Sequence, residues 1–285
     1  MRHSYVERLP VPALGDLVSA VFVQRVGPGG AGFPHRSVPN GSTELTCRVG
    51  AAPVVLGPCT DPVTRVLAPG TTVVGLRLRP GAAPAVLGLP ASEVAGRELD
   101  ADAVWGRAAT QMLGELVAAA PSAQQALAVL QAHVLGRRTD ADPLVAHAVR
   151  HLMPGRAGGV AELTSVLRVS ARNLRRRCLA AVGMPPKTLH RLLRFQGVLA
   201  AAQHAIAQGR APAEGGVARL AADAGYADQS HLERECRRLT GTSVRAFLLE
   251  TAEQCACGHD HAASYTALLT DAPLLDARLL PDARR

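Results

Sequence analysis

The chain has 285 residues, which is long enough for about two domains, each with its own hydrophobic core. It carries 31 Lys and Arg against 23 Asp and Glu, and its six cysteines are scattered rather than spaced as a disulfide framework, which favours a reducing compartment. Charged residues interrupt the amino-terminal stretch and no apolar run approaches the ~20 residues that span a bilayer, so we expect a cytoplasmic protein without signal peptide or membrane span.

Residues 1–105 are predicted to be mostly β. Short apolar runs at 18–26, 43–49, 53–56 and 71–79 are separated by Gly- and Pro-containing turns, which indicates a small barrel or sandwich. In the last run, Leu76 and Leu78 alternate with Arg77 and Arg79. This period of two predicts a half-buried strand with both arginines on one face.

Several polar side chains in this region form a candidate ligand site: His35, Arg36, Glu44, Arg77 and Arg79. One carboxylate and two arginines at the mouth of a barrel would suit a small acid, so we take His35, Glu44 and Arg77 as candidate ligand-binding residues. The alternation of the strand favours the other interpretation, in which Arg77 and Arg79 face water. Cys47 and Cys59 are expected to be unpaired thiols.

The composition changes at residue 106. Residues 107–119 and 122–135 are predicted to form two Ala- and Leu-rich helices broken at Pro121, so that 106–137 is a helical hairpin that links the domains or pairs two subunits. A linker at 136–142 follows. A helix at 143–153 then opens a third region, 138–250, which is predicted to be all-α.

Residues 160–181 have the pattern of a short helix, a turn and a second helix. Ser170 is a good N-cap for the second helix, and Leu174 and Cys178 lie on its inward side. The rest of this helix is basic: Arg172, Arg175, Arg176 and Arg177. Arginines three and four residues apart share one face and repel one another, which favours a phosphate or guanine partner over mere solvation.

Residues 217–239 repeat this pattern. Gly225 closes an apolar helix, Asp228 caps the next one, and Leu232 and Cys236 match the inward pair of the first copy. The other side carries polar and basic residues: Gln229, Ser230, His231, Arg234, Arg237 and Arg238. One such helix is as consistent with a solvated basic face as with DNA binding. Two copies in one chain favour a pair of helices that enter the DNA major groove.

The excess positive charge is confined to this part of the chain. Residues 141–250 contain 16 Lys and Arg and 8 Asp and Glu, so the formal net charge of +8 lies entirely in this segment. A protein that displaces counterions from DNA phosphates is expected to have such a basic region.

Residues 142–248 resemble the DNA-binding region of the AraC/XylS family of bacterial transcription regulators. The most specific motif is Gly225-Tyr226-Ala227-Asp228-Gln229-Ser230-His231-Leu232-Glu233-Arg234, followed by Gly241-Thr242-Ser243. The resemblance implies two helix-turn-helix units joined by a long helix, here 187–208, with recognition helices in major grooves about one turn (~34 Å) apart. By position, it implies that the base-reading residues are Arg172, Arg175, Arg176, Ser230, His231 and Arg234.

Two features depart from the family pattern. Arg168 stands in the first turn where the family usually has Gly, so we expect a residue at positive φ that costs ~1 kcal/mol. Cys178 and Cys236 stand where the family usually has Phe, so neighbouring residues must fill the space.

Residues 75–81, 87–90 and 104–106 resemble an uncharacterised N-terminal domain often fused to such DNA-binding regions. In the family these domains sense a ligand or dimerise. The chain is therefore predicted to be an α+β protein of two domains and a nucleoid-associated transcription regulator. The implied partners are double-stranded DNA, RNA polymerase if it activates, a small-molecule effector and a second copy of the chain. No membrane and no required cofactor are implied.

The region 251–285 extends beyond this pattern and contains Cys255, Cys257, His259 and His261. These ligand types suit zinc or copper, which gives an alternative function as a metal- or thiol-responsive regulator. The spacing is tight for one tetrahedral site, so a solvated segment is the competing interpretation. A more remote alternative is a DNA alkylation-repair enzyme that uses Cys47 or Cys59, although no activating Lys, Arg or His stands at a motif spacing from either. We expect no enzyme activity.

Overall fold

A computed structural model describes residues 3–29, 32–154, 159–213 and 215–253. It confirms the predicted α+β fold, with a β-rich N-terminal domain followed by a helical C-terminal domain. Within the described residues there are eight strands: β1 (Ser4–Arg8), β2 (Val18–Arg25), β3 (Phe33–Ser37), β4 (Glu44–Arg48), β5 (Pro53–Leu56), β6 (Val63–Leu67), β7 (Thr72–Leu78) and β8 (Glu98–Asp100).

Six strands form one antiparallel sheet in the order β1-β2-β7-β4-β5-β8. Strands β3 and β6 pair with each other in a second, two-stranded sheet, which we call the ribbon. The four predicted strands all lie in the large sheet. The ribbon and the two strands at the edges of the large sheet were not predicted.

Three short helices, α1 (Ala83–Leu87), α2 (Ala91–Val94) and α3 (Asp102–Trp105), precede the predicted hairpin of α4 (Arg107–Ala119) and α5 (Ala123–Arg137). Ser122 caps α5 by accepting a hydrogen bond from the Gln125 backbone N–H. Buried Leu113 and Leu130 share one hydrophobic core with residues of the large sheet such as Leu76. The hairpin therefore covers one face of that sheet and belongs to the core of the N-terminal domain.

Strand β7 lies in the middle of the large sheet, and this position corrects the expectation that Arg77 faces water. Leu76 and Leu78 point into the core, as the alternation predicts. Arg77, on the opposite face, is only 8% exposed. Arg79, just beyond the strand, is half-buried and donates to the Gly15 carbonyl oxygen at 2.8 Å. The period of two identifies the two faces, but it does not indicate that the second face is covered as well.

The C-terminal domain contains α6 (Pro143–His151), α7 (Val160–Val166), α8 (Ala171–Val182), α9 (Pro186–Ala207), α10 (Val217–Asp223), α11 (Gln229–Thr240) and α12 (Val244–Glu253). The long helix α9 contributes Leu192 and Phe195 to one core shared by both halves of the domain. Because α7 and α8 pack on one part of α9, and α10 and α12 on another, the spacing of the two halves depends on this helix.

The turn between α7 and α8 contains the predicted strained residue. Arg168 has φ of +51°, in the left-handed region that a side chain disfavours. Arg168→Gly should therefore raise the free energy of unfolding by about 1 kcal/mol. Arg175→Gly, inside the helix α8, should instead lower it by about 1 kcal/mol. Chemical denaturation of the two variants measures both values, and a destabilised Arg168→Gly protein would contradict the account.

Candidate nucleic-acid interface and ligand cavity

The helix α8 begins and ends as its sequence predicts. The Ser170 side chain accepts a hydrogen bond from the Asn173 backbone N–H, and Gly183 ends the helix with φ of +77°. Leu174 and Cys178 are buried in the domain core. Residues 171, 172, 175 and 176 are exposed, so the basic face of the helix points to solvent.

Three of the four arginines predicted for α8 lie on this exposed face. Within the described part of the chain, Arg172 and Arg175 form no ion pair, and Arg176 donates to Asn173 Oδ1 at 3.1 Å. Arg177 differs, because its guanidinium donates two hydrogen bonds to the Asp142 carboxylate, at 2.7 and 2.9 Å. Arg177 therefore holds the start of α6, and its contact with DNA stays a prediction.

The Asp142 carboxylate makes two kinds of contact at that position. Besides binding Arg177, it caps α6 by accepting hydrogen bonds from the Leu144 and Val145 backbone N–H groups. Burial alone would raise the pKa of the Asp142 carboxyl, but the hydrogen bonds from Arg177 and from the backbone lower it. The pair stays ionised at neutral pH and joins α6 to α8.

The second unit has the same construction. Gly225 follows α10 with φ of +74°, and Asp228 caps α11 by accepting a hydrogen bond from the His231 backbone N–H at 2.6 Å. Leu232 and Cys236 are buried, as their counterparts in α8 are. Five of the six residues predicted to contact DNA from α11 are exposed: Gln229, Ser230, Arg234, Arg237 and Arg238.

Two of the predicted contact residues of α11 have partners within the protein. The His231 ring is half-buried and packs edge-on against Tyr226, with ring centroids 5.1 Å apart. Arg237 pairs with Glu233 at 2.9 Å. Arg234 and Arg238 form no ion pair within the described residues, so they are the cations of this helix best placed for an external anion.

Contacts from α9 hold the second unit in place. Arg191 forms an ion pair with Glu235 of α11 at 3.1 Å, and the Arg194 guanidinium lies 4.2 Å from the centroid of the Tyr226 ring. These contacts join α11 and the turn before it to α9, which limits independent rotation of α11.

A cavity of about 500 Å³ lies between the large sheet and the ribbon. Its walls include Phe22, Glu44 and Arg77 from the large sheet and His35 and Arg36 from the ribbon. A cavity of this size, with aromatic walls and a few polar groups, is typical of sites for small organic molecules. The predicted residues His35, Glu44 and Arg77 are therefore together, although Arg79 does not line the cavity.

The Arg77 guanidinium, in the wall of the cavity, has three hydrogen-bond partners within the protein. It donates to Glu44 at 2.8 Å, to Glu7 at 2.7 Å and to the Tyr5 hydroxyl at 3.2 Å, and that hydroxyl donates to Glu7. Glu7 is 2% exposed. A small acid would have to displace these carboxylates, so Arg77 acts as a structural centre. Neither Tyr5 nor Glu7 was predicted, although the alternating strand Ser4–Arg8 contains both.

Burial and charge shift the pKa values around Arg77. Burial and the Glu7 carboxylate raise the pKa of Tyr5 well above its usual value. Burial lowers the pKa of His35, which keeps the ring neutral at pH 7 with Nδ1 3.3 Å from Gln24 Nε2. Since the folded protein binds this proton less readily than the unfolded chain, the stability that His35 contributes is lost as the pH falls below the ordinary histidine range.

The N-terminal domain also touches the helix α8. Gly183, at the end of α8, leaves no room for a side chain, because a Cβ there would lie 2.9 Å from Pro58 Cγ and 3.0 Å from the Ala91 carbonyl oxygen. A groove lined by Pro90 and Ser92 runs beside the exposed arginines of α8. The domains are therefore in close contact next to the candidate DNA interface.

The described cysteines are unpaired, as expected for Cys47 and Cys59. Burial raises the pKa of the Cys47, Cys178 and Cys236 thiols to about 11 and also raises that of Cys59. Residues 255–261, with the predicted metal ligands, lie outside the described residues. Within the described ranges, no group of three or more His, Cys, Asp or Glu side chains could hold a metal ion.

Comparisons with known proteins separate the chain into two parts. Residues 6–100 match the family model of a domain of unknown function, and residues 163–249 match the model of a helix-turn-helix domain. A search of the curated proteins finds no match to the chain. Among the helices of the described residues, none is long and apolar enough to cross a membrane.

Solved structures similar to the chain include ToxT from Vibrio cholerae. An apo variant of ToxT matches with a TM-score of 0.43 and 14% identity, over 80% of this chain and 96% of that one. A second ToxT structure matches with a TM-score of 0.41 and 12% identity, over 80% of this chain and 95% of that one. At these TM-scores the overall superposition carries no argument about function.

Proposed function

We infer that this chain is a DNA-binding transcription regulator. Its C-terminal region is a helix-turn-helix domain of the AraC type, which binds the operator DNA. The helices α8 and α11 enter successive major grooves on one side of the duplex. In α8, Arg172, Arg175 and Arg176 contact bases or phosphates. In α11, Ser230 and Arg234 do so, and Gln229 and Arg238 contact the flanking backbone.

The observation that carries this proposal is the exposed arginine face of α8. Three guanidinium groups within five residues raise one another's electrostatic energy, and none of them has a carboxylate partner within the described residues. Arginine presents a planar fork that matches the guanine edge and the phosphate group. A duplex in contact with α8 would supply the missing negative charge.

A direct test replaces one base-reading residue in each unit. Arg176→Ala and Arg234→Ala should each weaken binding to the promoter DNA of the protein's own gene region by about 1–3 kcal/mol, or roughly 5- to 150-fold in Kd. Arg107→Ala, an exposed arginine of α4, should bind like the unchanged protein. Electrophoretic mobility shift at fixed salt measures all three. Equal affinity of the four proteins would refute the assigned base contacts.

We further propose that the N-terminal domain modulates this activity by binding a small-molecule effector in the cavity between its sheets. The cavity volume and the mixture of aromatic and polar walls support this role. As an activator, the protein would also contact RNA polymerase, and a homodimer would place two such domains on one operator. No membrane takes part in this mechanism.

The cysteine chemistry separates the regulator from the alternative of a DNA alkylation-repair enzyme. Buried thiols with pKa values of about 11 are almost fully protonated at neutral pH, and the thiol form is a poor nucleophile. Iodoacetamide at pH 7.5 should therefore label Cys47, Cys178 and Cys236 at least about tenfold more slowly in the folded protein than in denaturant. Mass mapping of the labelled peptides gives the rates, and rapid labelling of Cys47 would favour the repair enzyme.

A further inference from the structure

Residues 36–41, which we call the bridging segment, run from the ribbon to the C-terminal domain. The Arg36 guanidinium donates to the Thr240 carbonyl oxygen at 3.3 Å, forms an ion pair with Glu250 and lies 5.5 Å from the centroid of the Phe247 ring. Thr240 is the last residue of α11, and Phe247 and Glu250 belong to α12. One side chain of the N-terminal domain thus contacts the second recognition helix and the helix behind it.

The residues after Arg36 fit closely against α9. Val38 packs against the core of the C-terminal domain, and the buried Gln196 amide donates to the Pro39 carbonyl oxygen at 2.9 Å. Gly41 has φ of +75°, and a Cβ there would lie 2.6 Å from Leu189 Cδ1. The bridging segment therefore has a defined position on the C-terminal domain, fixed by a charge pair, a buried hydrogen bond and close packing.

The same segment forms part of the cavity wall. Arg36, Ser37, Val38 and Asn40 all line the space between the sheets. Whatever occupies this space touches residues that are themselves in contact with α9, α11 and α12. The cavity and the second recognition helix, α11, are therefore separated by one layer of side chains.

The ribbon is the more easily displaced wall of the cavity. Within the described residues its backbone pairs with no strand of the large sheet. Side chains hold it there instead, through Gln24 with His35 and through the Arg65–Glu98 ion pair at 2.8 Å. A two-stranded ribbon is weakly stable by itself, whereas the large sheet has six strands and a helical layer. Filling the cavity should therefore move the ribbon rather than the large sheet.

The ion pair between Arg36 and Glu250 is also easily broken. The side chains of Arg36 and Glu250 are 24% and 42% exposed, so the pair is partly screened by water and contributes little stability by itself. A shift of the ribbon can break it at small energetic cost. An equilibrium between a docked and a released arrangement is the kind of two-state element through which one site influences another.

We propose that the ribbon positions the second helix-turn-helix unit through Arg36, and that filling the cavity shifts this position. The inference rests on the proposed function, since it explains how an effector in the N-terminal domain changes DNA binding. Arg36 is a positioning residue: it sets the placement of α11 and need not touch DNA.

A tryptophan that fills the cavity tests this coupling without an identified effector. Val54→Trp places an indole between the sheets, and hydrogen exchange of the full-length chain reports on residues 240–253. Exchange there should become roughly fivefold faster, because α12 loses a contact that protects it. Arg36→Ala should produce the same acceleration, and Val54→Trp should add little to it. Val66→Trp, on the exposed side of the ribbon, is the matched control and should change nothing.

Further variants make the outcome decisive. Continued protection of β2 and β7 shows that a variant is folded, and Thr46→Tyr replaces Val54→Trp if the latter is not. Arg36→Glu and Glu250→Arg should each accelerate hydrogen exchange. The variant that carries both substitutions should regain protection, because the ion pair is restored with its charges reversed. Unchanged hydrogen exchange of residues 240–253 in both cavity-filling variants would overturn the inference. So would an acceleration by Val54→Trp that is as large in the Arg36→Ala protein as in the unchanged one. Exchange is measured without DNA, so a failure to bind DNA would affect the proposed function alone.

Discussion

Replacing Arg77 with Met should lower the free energy of unfolding by about 3–5 kcal/mol, the usual effect of breaking a buried ion pair from one side. Arg77 satisfies two carboxylates and the Tyr5 hydroxyl in the middle of the large sheet. Without it, the Glu7 carboxyl is left at 2% exposure with the cation that neutralises it removed. Chemical denaturation followed by circular dichroism measures the loss.

Two controls identify the cause. Arg25→Met, on an exposed position of the neighbouring strand β2, should change stability by no more than about 0.5 kcal/mol. Glu7→Gln added to Arg77→Met should recover part of the loss, because the buried charge is then gone. If Arg77→Met were as stable as Arg25→Met, the cluster would not be a structural centre, and Arg77 would again be available to bind an acid.

Gly183→Ala should destabilise the protein more than Gly241→Ala, although the two glycines end the two recognition helices with nearly the same backbone. Their φ angles are +77° and +79°. An added Cβ meets nothing at Gly241, but at Gly183 it meets Pro58, the Ala91 carbonyl oxygen and Ala95. The left-handed conformation costs either variant about 1–2 kcal/mol, and overpacking should cost Gly183→Ala a further ~1–3 kcal/mol.

The difference between these variants measures the contact of the N-terminal domain with α8. It should be visible both in chemical denaturation and in faster hydrogen exchange of α2, which lies against this helix end. Equal loss of stability in the two variants would mean that the domains are apart in solution at this point. The coupling inferred at Arg36 would then have to act without support from the first unit.

Local signals explain which parts of the fold the sequence predicted. Helix ends are set by residues within a few positions, so the caps at Ser170 and Asp228 and the turn at Gly225 were predictable. The positive φ of Arg168 and the long helix at 187–208, which is observed at Pro186–Ala207, were instead implied by the family resemblance.

The remaining features depend on residues far apart in the chain. Arg77 was expected to face water because strand alternation does not reveal that the ribbon covers the second face of the sheet. Arg36 contacts Glu250, 214 positions away, and no pattern around either residue indicates this pair. Arg177 directly follows the exposed Arg176 of α8, but its partner is Asp142, the N-cap of another helix. Patterns in the chain identify faces, whereas partners follow from the packing of elements.

A hydroxyl-radical footprint of the full-length protein on its own promoter DNA tests the central claim most directly. Two protected windows are expected on one side of the duplex, about one helical turn (~34 Å) apart. Arg175→Ala should weaken the first window and Arg234→Ala the second. Absence of protection, or a single window that neither substitution alters, would contradict the assignment of α8 and α11 as paired recognition helices.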